Sequence, residues 1–204
     1  MGSSVERAEG KETGRIEAFS DGVFAFAITL LVLYLKDPAT DGRSLVQGLI
    51  DQWPAFFAFV TSFMTILIMW VGHHQMFTFV RRIDRKFMFL NGFLLLFVTL
   101  TPFTTSLVAD HILSSDSQTA AVIYASDFVF LSFIWGNLAR YARRNNLFTA
   151  DGGDSVIRNQ GRGALIGLTF YLIALVVAFF SGIASVALIL VVAVFYAVDP
   201  TSQG

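Results

Sequence analysis

Apolar residues come in long unbroken runs, and short segments between them hold nearly all the charge. The first run, 16–35, carries Glu17 and Asp21 near its start, and a turn-rich segment at 36–42 follows it. The second, 53–80, closes on Arg81 and Arg82. At 28 residues it exceeds the ~20 that a bilayer requires, so it tilts or projects. The third, 87–108, has Pro102 near its far end, a place for a kink or a stop. A polar loop at 110–118 precedes the fourth run, 119–139. The stretch 140–162 reads as the longest polar connection, with Gly152 and Gly153 making it a loop. No charged residue occurs over the 36 residues 163–198, enough for two short spans, 164–180 and 183–198, joined at Ser181 and Gly182. The pattern predicts an all-α integral membrane protein with six transmembrane helices in one domain, 1–204, without an internal repeat.

Charge then orients the helices. Six spans put both termini on one side. Segments on that side hold Arg7, Lys11, Arg15, Arg81, Arg82, Arg85, Lys86, Arg140, Arg143, Arg144, Arg158 and Arg162. Of the 14 Lys and Arg residues, only Lys36 and Arg43 fall opposite. The positive-inside rule places the basic side, and both termini, in the cytoplasm of a cell (plasma or inner) membrane. The N-terminal stretch through Arg15 is polar, unlike a signal peptide, so the first helix is expected to be retained.

Composition agrees. Charged residues make up 14% of the chain, against roughly 25% in soluble domains, and 22 residues are Phe. With no cysteine, disulfides, thiolate nucleophiles and cysteine-ligated metals are excluded. A net charge of −1 offers no bulk basic patch for nucleic acid.

Polar side chains inside the spans need a reason, because a charge there costs at least ~2.5 kcal/mol. Measured from the basic residues that mark the surface, Asp21 lies roughly 9 Å deep, His73 roughly 12 Å and Asn91 roughly 8 Å, at ~1.5 Å per residue. Three helices thus place polar groups in one layer, with Ser20 and Trp70 close to it. The expectation is one hydrogen-bond network joining the first three helices, in which Arg15 reaches Asp21 directly or through Ser20. Such a layer serves as glue between helices, or it titrates at Asp21 or His73 and gates or relays protons. A metal at His73 and His74 is a third reading, but neighbours on a helix diverge by about 100°, so this pair cannot chelate from one face. Asp127 lies in the outer half of the fourth span, where it either pairs with another polar side chain or serves near an ion path.

Gly22, Phe26, Thr29 and Leu33 share one face of the first helix, with Leu30 beside it. An apolar stripe with one Thr is a packing seam or, around a symmetry axis, the lining of a narrow pore that gates by dewetting. The outer loops, with Asp37, Asp41, Asp51, Asp110 and Asp116 against Lys36 and Arg43, would mildly concentrate cations.

The segment 15–21, Arg-Ile-Glu-Ala-Phe-Ser-Asp, followed by Gly-Val-Phe-Ala-Phe-Ala-Ile-Thr-Leu-Leu-Val-Leu, resembles the first-helix signature of the transmembrane protein 175 family, the endosomal and lysosomal potassium channels and their prokaryotic relatives. Trp70-Val-Gly-His73 is similar to the family's Trp-x-x-His on the second helix, and Leu90-Asn91 to the Asn near the start of the third. The resemblance implies that a single set of six spans forms a homotetramer with the first helices around a central pore. It implies a Thr layer at Thr29, apolar pore positions at Leu30 and Leu33, and a bracing network of Arg15, Ser20, Asp21, Trp70, His73 and Asn91. Phe26 stands where the family typically has Ile or Leu. The expected function is passive potassium conduction through this constriction, with modest selectivity over sodium. The expected partners are other copies of the chain, membrane lipid and the permeating potassium ion. No cofactor and no resident metal are expected. A proton-coupled or secondary cation transporter is the alternative, and no paired Asp, Ser–His or His–Glu set at membrane depth suggests an enzyme.

Overall fold

A computed structural model describes residues 2–38, 42, 44–148 and 153–198, with side chains from residue 12 onward. Arg7, Lys11, Asp41, Arg43 and Gly152, used above for orientation, outer charge and loop placement, lie outside those described side chains. The described residues form helices α1 (Gly2–Leu30), α2 (Leu45–Asp51), α3 (Trp53–Phe79), α4 (Arg85–His111), α5 (Ser117–Arg144), α6 (Gly153–Ala178) and α7 (Gly182–Val198). A 3-10 turn, Leu31–Tyr34, tightens the end of α1. Among the described residues, five segments are long and apolar enough to cross a membrane: Glu12–Tyr34, Trp53–Phe79, Arg85–His111, Ser117–Arg144 and Gly153–Ala178. At 17 residues α7 is shorter.

Local chemistry sets the helix ends. The Asp84 carboxylate accepts from the Phe87 N–H at 2.8 Å and so caps α4. Pro54 stands in the first turn of α3, where its missing N–H costs nothing. After α5, Asn146 takes a left-handed φ of 50°, which Asn tolerates. The chain then turns back so that Leu147 O accepts from the Arg81 N–H at 2.8 Å, fastening the α5–α6 connection to the end of α3.

Helices α4 and α5 form the centre. Helix α5 packs most extensively on α6, and Gly136 permits it, since an added Cβ would stand 3.3 Å from Ala164 Cβ. Ser132 crosses the same seam to donate to Ala164 O at 2.8 Å. Helix α1 is peripheral and rests on α3 and α4.

The structure departs from the sequence expectations at α6, at α2 and at Pro102. Residues 153–162 are helical rather than loop, so α6 starts about ten residues before the expected span. Ile157, Gln160 and Ala164 face inward while Arg158 is exposed, an amphipathic pattern that a charge count mistakes for a loop. Helix α2, a short segment capped by Ser44 with four exposed apolar side chains, was not anticipated. Pro102 does not end α4, which continues to His111.

Asp84 also accepts from Tyr141 Oη at 2.6 Å. Desolvation pushes its pKa up, but the bonds from Tyr141, Phe87 and Lys86 and the charge of Lys86 outweigh it and hold it below the usual carboxylate value. A carboxyl with a depressed folded pKa stabilises above its unfolded pKa and loses that contribution as pH falls through the folded one. Asp84→Ala is therefore expected to cost about 1 kcal/mol at pH 7 through the lost cap. The gap to the parent should close below about pH 4, as read by thermal unfolding in detergent across pH.

Candidate functional site on the first helix

Two faces of α1 carry the same helical spacing and meet different surroundings. Ser20, Phe24, Ala27 and Leu31 are fully buried against α3 and α4. The opposite stripe is open: Phe19 is 66% exposed, Phe26 63% and Leu33 68%, with Gly22 and Thr29 also exposed and Leu30 half-buried beside them. An outward face this apolar, on a helix at the edge of the bundle, is one that lipid or another subunit covers. Within the apolar run 16–35, Thr29 is the stripe's polar group. Its hydroxyl donates to Phe26 O at 2.8 Å, which leaves the oxygen lone pairs free on the exposed side.

Behind the stripe the polar residues gather, though not as one network. A directional chain crosses three helices. Ser20 Oγ donates to Ile16 O at 2.9 Å, Asn91 Nδ2 donates to Ser20 Oγ at 2.9 Å, and Asn91 Oδ1 lies 2.9 Å from His73 Nε2. Since the Asn91 amide nitrogen is spent on Ser20, its oxygen must accept, and the His73 proton sits on Nε2. His73 Nδ1 is left buried without a partner, and the ring stacks on Phe77 at 4.3 Å and tilts against Phe24 at 5.3 Å.

Asp21 belongs to a second, separate set. Trp70 Nε1 donates to Asp21 Oδ1 at 2.9 Å, and one turn away His74 Nδ1 meets Glu17 Oε1 at 3.1 Å. Glu17 and Asp21 lie four apart on α1, as do Trp70 and His74 on α3, so the two rungs form a ladder. The matching intervals were the signal for the Glu17–His74 rung, which the sequence reading missed. Arg15 does not reach Asp21. It falls on the open stripe with Phe19 and Gly22 and has no side-chain partner among the described residues. The helix turns it away from Asp21, six residues on.

Nearer the other end, Asp127 Oδ2 accepts from Thr101 at 2.9 Å and Thr104 at 3.2 Å, while Oδ1 has no partner. Ser62, Thr105 and Tyr124 close a buried hydroxyl cluster at 2.7 and 2.8 Å. Hydroxyls occur throughout these helices, so nothing in the sequence singled out this trio.

A family model described as endosomal/lysosomal potassium channel TMEM175 matches residues 15–102, which hold the stripe, both polar sets and Thr101. A potassium channel of Chamaesiphon minutus is 41% identical over 200 residues, covering 95% of this chain and 97% of that one. The chain belongs to the TMEM175 family. Another relative, a potassium channel of Streptomyces collinus, is 45% identical over 135 residues, 63% of this chain and 66% of its own. The crystal structure of a lysosomal potassium-selective channel TMEM175 homologue from Chamaesiphon minutus matches with a TM-score of 0.82 at 39% identity, covering 92% of this chain and 97% of that one. TMEM175 is a family of ion channels, not of enzymes.

Proposed function

We propose that the chain is one subunit of a potassium-permeable channel, a homotetramer in the cell membrane, with α1 of each subunit around a central pore. The observation that carries this reading is the open stripe of Phe26, Thr29 and Leu33 on a helix whose opposite face is fixed by buried packing and hydrogen bonds. Four such stripes around an axis make a hydrophobic constriction with one ring of hydroxyl oxygens. TMEM175 relatives named as potassium channels support the permeant ion.

Helix α7 is the sixth span. Its 17 uncharged residues reach roughly 26 Å, close to the ~30 Å of a hydrocarbon core. Both termini then lie in the cytoplasm with the basic ends of α3, α4 and α5. Cations pass down their gradient and shed part of their water at Phe26, Thr29 and Leu33. Selectivity for potassium over sodium is modest, because apolar side chains replace hydration less well than carbonyl rings. A transporter would use a discontinuous helix at mid-membrane, whereas α4 runs on through Pro102.

The test is ion flux in liposomes with a potassium gradient, then with sodium in its place. Flux that falls with sodium supports the channel. Thr29→Val keeps the shape and removes the oxygen, so the potassium-to-sodium ratio is expected to drop towards one, while Phe26→Ala widens the constriction and raises flux. An unchanged ratio in Thr29→Val would take that residue out of the ion path.

A further inference from the structure

Between α4 and α5, on the outside of the bundle, runs a groove of about 530 Å³. The helices are antiparallel here, so the N-terminal end of α4 lies beside the C-terminal end of α5. The Lys86 ammonium accordingly sits 5.1 Å from the centre of the Tyr141 ring, and at the other end Phe97 and Phe130 stack at 5.0 Å. From Lys86 to Phe97 the groove extends roughly 16 Å at ~1.5 Å per residue. That is about half the ~30 Å hydrocarbon thickness, the depth of one leaflet.

Its chemistry changes along this length. The deep part is walled by Phe93, Phe130 and Phe133, each about half exposed. The mouth carries Lys86, Arg140 and Arg144, all exposed. Arg140 bonds only the neutral Asn137 at 3.0 Å, and Arg144 has no side-chain partner among the described residues. No carboxylate lines the groove among the described residues, and nearby Asp84 is occupied by Tyr141 Oη and the Phe87 N–H. Three cations against one carboxylate leave a surplus of positive charge directly above an apolar slot one leaflet deep.

We propose that this groove is a site for an anionic phospholipid, its phosphate held by Arg140, Arg144 and Lys86 and one acyl chain lying along the Phe wall. Guanidinium groups pair with phosphate oxygens through parallel N–H bonds, and basic pockets between helices at the membrane surface take such headgroups. The groove is lined by α4 and α5 and by no residue of α1, and it stands whether or not α1 lines a pore.

The absence of native cysteine makes the test direct. Phe133→Cys, labelled with a bimane fluorophore, reports on the groove wall in mixed micelles containing lipids with brominated, quenching acyl chains. Brominated phosphatidylglycerol is expected to quench at a lower mole fraction than brominated phosphatidylcholine. Arg140→Gln with Arg144→Gln should raise its half-quenching fraction about fivefold for each cation removed. Arg158→Gln, on α6 outside the groove, should leave it unchanged. Should the double variant fail to elute as folded protein, Arg144→Gln alone carries the comparison. Equal quenching by the two lipids overturns the proposal. So does relief of quenching by inorganic phosphate, which would make the cations a soluble-anion site. Cross-linking of Phe133→Cys between subunits, with no lipid quenching, assigns the groove to a protein contact and overturns it as well.

Discussion

Gly182→Val is expected to prevent folding, or to lower stability by more than about 3 kcal/mol. Gly182 is the first residue of α7 and is buried where the α6–α7 turn meets the α4–α5 turn. A Cβ there would stand 2.8 Å from the backbone oxygen of Ser117 and 3.1 Å from Ile112 Cδ1, and it would collide with the Ser117 hydroxyl. A hydroxyl can rotate away and an isoleucine methyl can yield, but a helix-start carbonyl cannot. The two turns must separate, and separation costs α7 its seat beside α5 and α6. Gly182→Ala meets the same oxygen with less bulk and should cost about 1–3 kcal/mol, the range of ordinary overpacking. Gly92 is the contrast: an added Cβ there meets nothing within 4 Å. Gly92→Ala is expected to leave melting unchanged or to raise it by up to ~1 kcal/mol, because Ala loses less backbone entropy in a helix. Thermal unfolding in detergent, with elution as a measure of integrity, separates the three. Parent-like melting of Gly182→Val would mean that the turns pack more loosely than this geometry.

The sequence makes some of this architecture plain and leaves other parts hidden, for physical reasons. Lipid demands long apolar runs, so the spans around α3, α4 and α5 are unmistakable. The open stripe of α1 follows from a helix period alone, and Gly22, Phe26 and Thr29 are exposed together as that period requires. Ser20, His73 and Asn91 meet because lone polar groups in apolar helices have few partners except one another. Depth, which the sequence does convey, says nothing of rotation. Hence Asp21 pairs with Trp70 rather than Arg15, and the layer divides into a buried chain and a half-exposed ladder. The early start of α6 is hidden for a different reason. Its first turns carry charge outward and Ile157 inward, and only the neighbouring α5 reveals which side is which.

Asn91→Leu is the second large effect, and its cost should concentrate on a different residue. Among the described residues Asn91 is the only hydrogen-bond link between Ser20 on α1 and His73 on α3. Leucine fills similar volume, so the change is chiefly one of hydrogen bonding. Ser20 keeps its bond to Ile16 O and is not stranded. His73 is stranded: Nδ1 is already without a partner, and Nε2 would join it at full burial. Interhelical hydrogen bonds in membranes average only ~0.6 kcal/mol, whereas an orphaned buried donor costs ~1–3 kcal/mol. One bond lost at Ser20 and one orphan made at His73 sum to about 1.6–3.6 kcal/mol, a fall in melting temperature of roughly 3–14 °C for a chain of this size. Ser20→Ala leaves His73 paired but strands the buried Asn91 Nδ2, so it should cost about 1–3 kcal/mol, comparable to Asn91→Leu. The decisive comparison is the double variant. His73→Phe removes the stranded nitrogens and sets a third ring beside Phe77 and Phe24, so adding it to Asn91→Leu should recover about 1–2 kcal/mol. Strict additivity of the two changes would mean that the chain is a set of independent contacts. Coupling of the expected sign would make it one brace, holding the buried face of α1 to α3 and α4 and thereby fixing which way Phe26 and Thr29 point.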